Sequence, residues 1–379
     1  MENMQVLKPY YRVDETLEQI RECLEIGWTG MGFKTIEIED KWKEYTNLPY
    51  AHFLNSATSG LHLATHILKK ENNWADGDEI ISTPFTFVST NHAIKYENLN
   101  VVFADIDDSL CLDPVDVEAK ITDKTRAVIF VGLGGNTGKY KEIVALCRKH
   151  NLKLILDAAH MAGTRYDGVI PGADADVVVY SFQAVKNMPT ADSGMICFAE
   201  EKLDKEAREL AWLGINKDTY SRSTSAGEYK WKYDVPNVGF KYHGNSIMAS
   251  MALVSLKYLD EDNEYRRQLS SWYKEGLKDL IANGKIKIIS FEDKCITSNH
   301  VFQIVIENRN EILTKLNENS IFPGVHYMLN TAYAPYDEYI DACPKAHYYE
   351  DRILSLPVHI HMKKENVEYV CKTLVDLLK

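Results

Sequence analysis

The sequence of 379 residues lacks the long apolar runs and the paired cysteines that mark membrane and disulfide-bonded proteins. No segment approaches the roughly 18 consecutive apolar residues of a membrane-spanning helix, and no basic stretch leads into an apolar run near the start. The seven cysteines are scattered, odd in number and without a CxxC pair, which disfavours a disulfide framework or a zinc site. We therefore expect a cytoplasmic protein that contacts no membrane and binds no metal.

Basic residues are outnumbered by acidic ones, which gives a formal net charge of −12. A nucleic-acid-binding protein needs a basic face, so we expect no nucleic-acid partner. Small anionic ligands are compatible with this charge, because backbone amides and a few cations suffice to bind them. With 45% hydrophobic residues, the chain can bury the cores of one large domain and one smaller domain.

Segments with strand and helix character alternate from residue 50 to residue 200. Strands are indicated by DEIISTPFTF, NVVFADID, RAVIFVGL, LKLILDAAH, ADVVVYSF and GMICFAE, and helices by STNHAIKY and YKEIVALCRKH. This alternation is typical of an α/β fold whose mostly parallel sheet is covered by helices on both faces. The apolar spacing also predicts an earlier helix from Asp14 to Ile26, with Asp14 as its N-cap.

Two predicted strands end in polar side chains. LKLILDAAH places Asp157 at a strand end and His160 just beyond it, and VVVYSFQAVKN places Ser181 at a strand end with Lys186 shortly after. A lysine and an aspartate at one sheet edge are what a pyridoxal phosphate (PLP) site requires. The lysine forms a Schiff base with the cofactor and then acts as general base, while the carboxylate keeps the pyridine nitrogen protonated.

The same residues have simpler interpretations. Composition alone favours a solvated surface position for a loop lysine such as Lys186, and an aspartate after a strand is usually a helix N-cap. His160 fits a structural role as well as a functional one. Upstream, NSATSG forms a small polar turn between a strand and a helix, which is a candidate cradle for an anion.

Several motifs, in order along nearly the whole chain, resemble the DegT/DnrJ/EryC1/StrS aminotransferases. They are NSATSGLHLATHIL, GDEIISTPFTFVSTNHAI, VVFADID, LILDAAHMAGTRYDG, YSFQAVKNMPTADSGMICF, VGFKYHGNSIMASMALVSLKYLD and SIFPGVHY. The resemblance implies a PLP-dependent transferase of fold type I, with a mostly parallel seven-stranded central sheet flanked by helices. It implies a large PLP-binding domain with an N-terminal arm over residues 1–245, and a linking helix with a smaller α+β domain over residues 246–379.

The resemblance also assigns roles to individual residues. It implies that Lys186 carries the cofactor, that Asp157 pairs with the pyridine nitrogen, and that His160 lies near the phenolic oxygen. The remaining cofactor-binding positions are Ala57, Thr58 and Ser181 for the phosphate, Phe87 for stacking on the ring, and Lys241 for the phosphate held by the neighbouring subunit. A homodimer with shared active sites is therefore implied.

The implied reaction moves an amino group from L-glutamate, by way of pyridoxamine phosphate (PMP), to a keto sugar. The favoured acceptor is a nucleotide-linked 4-keto- or 3-keto-6-deoxyhexose, for surface polysaccharide or amino-sugar biosynthesis. Transamination of a smaller phosphorylated keto compound is the alternative, and a non-catalytic PLP-binding regulator is a further one. Lysine at position 186, where one branch of the family has histidine, argues against the dehydration that this branch performs.

Three departures from the family pattern lie where substrate is expected. VGLGG predicts a wider and less aromatic wall, TADSG replaces the usual TGEGG, and HYMLNT lacks a second histidine. His326 and Tyr327 are therefore candidate substrate residues without that partner. In the polar loop before Pro236, the candidates for a substrate phosphate are Lys217, Arg222, Lys230 and Lys232, which could equally form a solvated face.

Overall fold

The computed structural model describes residues 3–216 and 233–379. Seven strands form the central sheet: β2 Tyr50–Leu54, β3 Glu79–Ser82, β4 Asn100–Phe103, β5 Thr125–Val131, β6 Lys153–Asp157, β8 Val177–Ser181 and β9 Gly194–Phe198. Their order across the sheet is β2-β9-β8-β6-β5-β3-β4. Only β9 runs antiparallel to its neighbours, so the predicted seven-stranded, mostly parallel sheet is confirmed.

The central strands are apolar because both faces of the sheet are covered. All five residues of β8 are buried, as are Leu154 to Asp157 of β6. Successive side chains of β8 enter opposite cores, since Val177 and Val179 join one apolar cluster while Val178 and Tyr180 join another. The sequences of these strands are therefore continuously hydrophobic, and apolar residues do not alternate with polar ones.

Helices cover both faces of this sheet and extend to the end of the chain. The described α-helices are α1 Val13–Ile26, α2 Phe33–Thr46, α3 Ala57–Glu71, α4 Ser89–Tyr96, α5 Pro114–Ala119, α6 Tyr140–Lys149, α7 Glu201–Ala211, α8 Ser246–Lys257, α9 Leu259–Gly276, α10 Lys278–Ala282, α11 Arg309–Glu318, α12 Pro344–Glu350 and α13 Lys364–Leu377. Within these residues no helix has the length and apolar character needed to cross a membrane.

The start of α1 differs from the sequence prediction. Asp14 is not the N-cap, because the helix begins at Val13 and the cap position is Arg12. The Arg12 guanidinium donates two hydrogen bonds to the Asp262 carboxylate on α9, at 2.6 and 2.7 Å. This contact between distant parts of the chain fixes where the helix begins, and the local sequence pattern could not reveal it.

A second sheet lies in the C-terminal third of the chain. It is antiparallel and consists of β10 Ile286–Ile288, β12 Phe302–Ile306 and β14 Ile353–Leu356, in that order. Residues of α9, α11 and α13 pack on it in a third apolar core. Two short pairs complete the strands: β1 Met4–Gln5 with β13 Ile321–Phe322, and β7 Arg165–Tyr166 with β11 Cys295–Ile296.

Candidate active site

The sheet brings the predicted polar strand ends to one edge. Asp157 is the last residue of β6 and pairs with Val179 of the parallel strand β8, which ends two residues later at Ser181. Lys186 lies in the turn that follows, where its amide donates to the Gln183 carbonyl at 2.8 Å. Parallel strands end at the same edge, so the fold itself places these side chains together.

Asp157 is held by hydrogen bonds that favour its ionised form. Its side chain is 3% exposed, and one carboxylate oxygen accepts from the Thr90 hydroxyl at 2.8 Å while the other accepts from the Ala159 amide at 3.1 Å. Burial raises the pKa of Asp157, and the two donors and the charge of Lys186 oppose that rise. The carboxylate is therefore oriented by the protein and close enough to Lys186 to sense its charge.

Lys186 has an unusually acidic ammonium group. Burial lowers its pKa to about 8, and the negative charge of Asp157 opposes the shift. Desolvation disfavours the charged form of a lysine, and the neutral amine is the form that attacks a carbonyl or accepts a proton. About a tenth of Lys186 is thus neutral at pH 7, compared with well under a thousandth for an ordinary lysine.

The turn before α3 is the segment that the sequence predicts to cradle an anion. Ser56 is the N-cap, and its hydroxyl accepts from the Ser59 amide at 3.1 Å, which leaves the amides of Ala57 and Thr58 in the first helical turn. This turn touches Gly194, where an added Cβ would lie 2.7 Å from the Ala57 nitrogen. Gly194 pairs with Ser181, so this glycine lets the helix start pack beside the end of β8.

His160 is buried and neutral, and its tautomer is fixed. Burial, Lys186 and His326 together hold its pKa well below the ordinary value. Nδ1 accepts from the Gly134 amide at 3.1 Å, so the ring proton is on Nε2, which lies 3.1 Å from the Tyr327 hydroxyl. That hydroxyl accepts from His160 and keeps its own proton for a further acceptor.

His326 and Tyr327 belong to the C-terminal third of the chain, and the Tyr327 hydroxyl meets the site at His160. Nδ1 of His326 hydrogen-bonds to the Ser355 hydroxyl at 2.9 Å, and burial lowers the pKa of His326 to about 4. Burial also raises the pKa of Tyr327, which keeps this phenol protonated. The ring of Phe87 is 57% exposed and lies 6.1 Å from the Tyr327 ring between centroids, so the predicted stacking residue faces this group.

Other predicted site residues lie further away or cannot be described. The Lys241 amine rests 3.4 Å above the centre of the Trp212 ring of its own chain, and burial lowers its pKa. The Lys241 carbonyl accepts from the Asn55 side chain next to the anion cradle, at 3.1 Å. Lys217 and Arg222, with Lys230 and Lys232, lie outside the described residues.

The glycine-rich turn after β5 is closely packed. An added Cβ would lie 2.0 Å from the Met161 sulfur at Gly132 and 2.1 Å from the Ser298 hydroxyl at Gly135. At Gly132 and Gly135 the missing side chain therefore lets neighbouring segments approach the turn, whereas Gly134 borders a cavity together with Val301 and Gln303. Gly134, in the left-handed region with φ 65°, directs its amide to His160.

Several residues of the site were not found from the sequence. Thr90 binds Asp157, and Asn187 and His300 form a buried pair beside Lys186. Each lies in a segment whose local pattern predicts only a helix, a loop or a strand, so no spacing signal marks them. Among residues 3–216 and 233–379, no group of three or more side chains is arranged to hold a metal ion.

The buried histidines predict a loss of stability in mild acid. Burial lowers the pKa of His326 and His359 to about 4, and the pKa values of His160 and His300 also lie well below normal. In the unfolded chain a histidine takes up a proton near pH 6.5, whereas the buried histidines of the folded chain stay neutral until a lower pH. Their contribution to the free energy of unfolding is therefore complete above about pH 6.5 and is lost as the pH falls toward 4. We expect the free energy of unfolding in urea to be at least about 3 kcal/mol lower at pH 5 than at pH 7.

A His359→Asn variant provides the control for this measurement, because it removes one of the buried rings. It is expected to show a smaller difference between the two pH values than the natural chain. Equal urea midpoints at pH 5 and pH 7 for the natural chain would contradict the expectation, since the folded protein would then take up as many protons as the unfolded one.

Comparison with known proteins matches nearly the whole chain to one protein family. The profile of the DegT/DnrJ/EryC1/StrS aminotransferase family matches residues 11–375. Spore coat polysaccharide biosynthesis protein SpsC of Bacillus subtilis is 31% identical over 377 residues, covering 96% of this chain and 95% of the relative.

Solved structures give the same result. The putative sugar aminotransferase Spr1654 of Streptococcus pneumoniae in its PMP form superposes with a TM-score of 0.91 at 26% identity, covering 99% of each chain. Its PLP form superposes with a TM-score of 0.90. The aminotransferase TlmJ of Streptoalloteichus hindustanus has a TM-score of 0.90 at 25% identity, covering 99% of this chain and 100% of the other.

Proposed function

Because this chain belongs to the DegT/DnrJ/EryC1/StrS aminotransferase family, we propose that it transfers an amino group from L-glutamate to a nucleotide-linked keto sugar. It is a PLP-dependent aminotransferase, as its family and its structural neighbours are. The observation that carries the proposal is the position of Lys186, a lysine of lowered pKa beside Asp157 at the edge of the sheet.

The side chains at this edge fit PLP. We propose that the amides of Ala57 and Thr58 and the Ser181 hydroxyl hold its phosphate, because a helix start attracts an anion. Gly194 supports this assignment, since a side chain there would collide with the helix start that forms the cradle. When bound, PLP supplies an electron sink that stabilises negative charge on the substrate carbon.

Lys186 is proposed to carry the cofactor and to move the proton. With a pKa of about 8, its amine is neutral often enough to accept a proton from the α-carbon of the amino donor, and its ammonium is acidic enough to return one. Neutral Lys186 is also the form that can bond to the cofactor aldehyde. One side chain thus serves both the attachment and the proton transfer.

Asp157 and His160 are proposed to orient and polarise the cofactor ring. The Asp157 carboxylate, fixed by Thr90 and Ala159, would accept a hydrogen bond from a protonated ring nitrogen. Neutral His160 holds the Tyr327 hydroxyl in place, so that Tyr327 can donate its proton toward the cofactor or the substrate. The exposed Phe87 ring would cover the cofactor face.

The keto sugar is proposed by analogy with two of the similar proteins. One is named a putative sugar aminotransferase and the other a spore coat polysaccharide biosynthesis protein. We infer a 4-keto- or 3-keto-6-deoxyhexose as acceptor, with His326 and Tyr327 as contacts and Lys217 and Arg222 as candidate phosphate ligands. We also propose a homodimer in which Lys241 reaches the phosphate bound by the partner subunit.

The test is an absorbance spectrum of the PLP-reconstituted protein before and after addition of L-glutamate. A band near about 410 nm that moves toward about 330 nm, with release of 2-oxoglutarate, is expected if Lys186 holds the cofactor and glutamate is the donor. Keto compounds are then added one at a time to the protein that has reacted with glutamate. The compound that restores the band near about 410 nm is the acceptor. Recovery with small keto phosphates but not with nucleotide-linked keto sugars would reassign the acceptor, and a band that no amino donor changes would indicate a non-catalytic PLP-binding protein.

A further inference from the structure

A buried polar cluster joins the turn of Lys186 to the segment that leads into β12. Asn187, the residue after Lys186, is 5% exposed and His300 is 1% exposed. Nδ1 of His300 lies 2.9 Å from the side-chain oxygen of Asn187. The ring of His300 also lies 4.2 Å from that of His160 between centroids, with an angle of 36° between the planes.

The contacts of Asn187 fix the direction of this hydrogen bond. Its side-chain nitrogen is 2.7 Å from the Ser298 carbonyl oxygen and 2.7 Å from the side-chain oxygen of Asn263. A carbonyl can only accept, so the Asn187 atom facing Ser298 is the NH2 group. The Asn187 oxygen therefore faces His300, and the His300 ring donates from Nδ1.

The cluster extends to the segment that carries His160. Asn263 donates to the Ala162 carbonyl at 2.9 Å, and the Ser298 hydroxyl donates to the His160 carbonyl at 2.6 Å. An unpaired polar group in such a buried site is destabilising, so losing one partner would loosen the others. The groups whose charges act on His300 are His160, Lys186, Arg266 and His326, and together with burial they keep its ring neutral.

We propose that His300 is a positioning residue for Lys186, because it holds the turn that carries the lysine through Asn187 and supports the ring of His160. Its role in transamination rests on the proposed function, whereas its hold on the Lys186 amine does not. The mechanism assigned above uses Lys186 and His160 directly, and His300 acts through them.

Two amide variants separate the hydrogen bond from the loss of the ring. In His300→Asn the amide nitrogen is bonded to Cγ, as Nδ1 is in histidine. It can therefore still donate a hydrogen bond to Asn187. In His300→Gln the amide stands one carbon further out, so that donation is lost while a polar side chain of similar size remains. His52→Gln is the matched control, because His52 is a buried histidine of β2 whose Nδ1 hydrogen-bonds to Glu39 of α2.

The first measurement is the pH dependence of Lys186 acetylation by acetic anhydride in the cofactor-free protein, quantified by mass spectrometry. The midpoint is expected to rise by at least about one pH unit in His300→Gln, because a loosened turn lets water reach the amine and relieves its burial. We expect the same midpoint of Lys186 acetylation in the natural chain, in His300→Asn and in His52→Gln. If His300→Gln does not fold, Asn187→Ala removes the acceptor of the same hydrogen bond and is expected to show the same rise.

The second measurement is transamination by the reconstituted variants. His300→Gln is expected to lower kcat about tenfold with little change in KM, since it displaces the proton-transferring amine and no substrate contact. An unchanged Lys186 midpoint in the folded His300→Gln or Asn187→Ala protein would overturn the proposal, as would equal shifts in His300→Asn and His300→Gln. A natural chain without the absorbance band of bound PLP would instead refute the proposed function, while the acetylation midpoints would still decide the role of His300.

Discussion

Replacing Lys186 with alanine is expected to lower the rate of transamination at least about a thousandfold, because one side chain supplies both the attachment of the cofactor and the proton transfer. Lys186→Arg is expected to lose as much, although it keeps a cation of similar reach. Arginine does not give up its proton in proteins, so it can neither bond to the cofactor aldehyde nor accept a proton. The loss thus follows from the acidity of the ammonium and not from its charge.

The measurement is kcat for the reaction of the PLP-reconstituted variants with L-glutamate. Lys153→Ala is the matched control, since Lys153 stands at the opposite end of β6 and pairs with Asp176 at 2.8 Å. A small amine such as methylamine is expected to restore part of the proton transfer in Lys186→Ala, because it can enter the space left by the side chain. Retention of more than about a tenth of the natural rate without added amine would contradict the role given to Lys186.

Replacing Asp157 with asparagine is expected to lower kcat at least about a hundredfold while leaving the fold intact. The amide keeps the shape of the carboxylate and one oxygen to accept from the Ala159 amide. It is neutral, so it cannot keep a ring nitrogen protonated and the electron sink weakens. Its NH2 group meets the Thr90 hydroxyl, which can turn to accept instead of donating.

Stability separates this functional effect from damage to the fold. Burial raises the pKa of Asp157, which means that its charge is less favourable in the folded chain than in water. Removing that charge is therefore expected to leave the urea midpoint of the cofactor-free protein unchanged or slightly higher. Asp176→Asn, at the far end of the same strand pair, provides the control with near-natural kcat. A lower urea midpoint together with unchanged kcat in Asp157→Asn would contradict both parts of the expectation.

The polar residues at the strand ends could be predicted from the sequence, because a strand end is marked by a local pattern. An apolar run that stops at Asp157 or Ser181 indicates a strand end by itself, and the alternation of elements indicates that such ends share one edge. The seven-stranded sheet and the roles of the residues came from resemblance to a family, and comparison confirms the fold and the cofactor. The roles of individual residues stay predictions until variants are measured.

Contacts between distant segments explain what the sequence did not predict. The start of α1 depends on the pair of Arg12 and Asp262, which lie 250 positions apart. The same holds for His300 and Asn187, separated by 113 positions. No periodicity over neighbouring residues carries information about such pairs, and the glycines near Gly132 show the same limit, because their need for close packing is visible only once Met161 lies against them.

The distribution of the site along the chain also sets the order in which it can mature during synthesis. The anion cradle, Asp157 and Lys186 belong to segments that emerge first, whereas His300 and Tyr327 belong to segments that emerge much later. N-terminal parts of a chain generally fold first, so the early sheet would present Lys186 before its later neighbours pack over it. A nascent chain at that point would lack the hydrogen bond between Asn187 and His300, so the turn of Lys186 would not yet be tied to the segment that leads into β12.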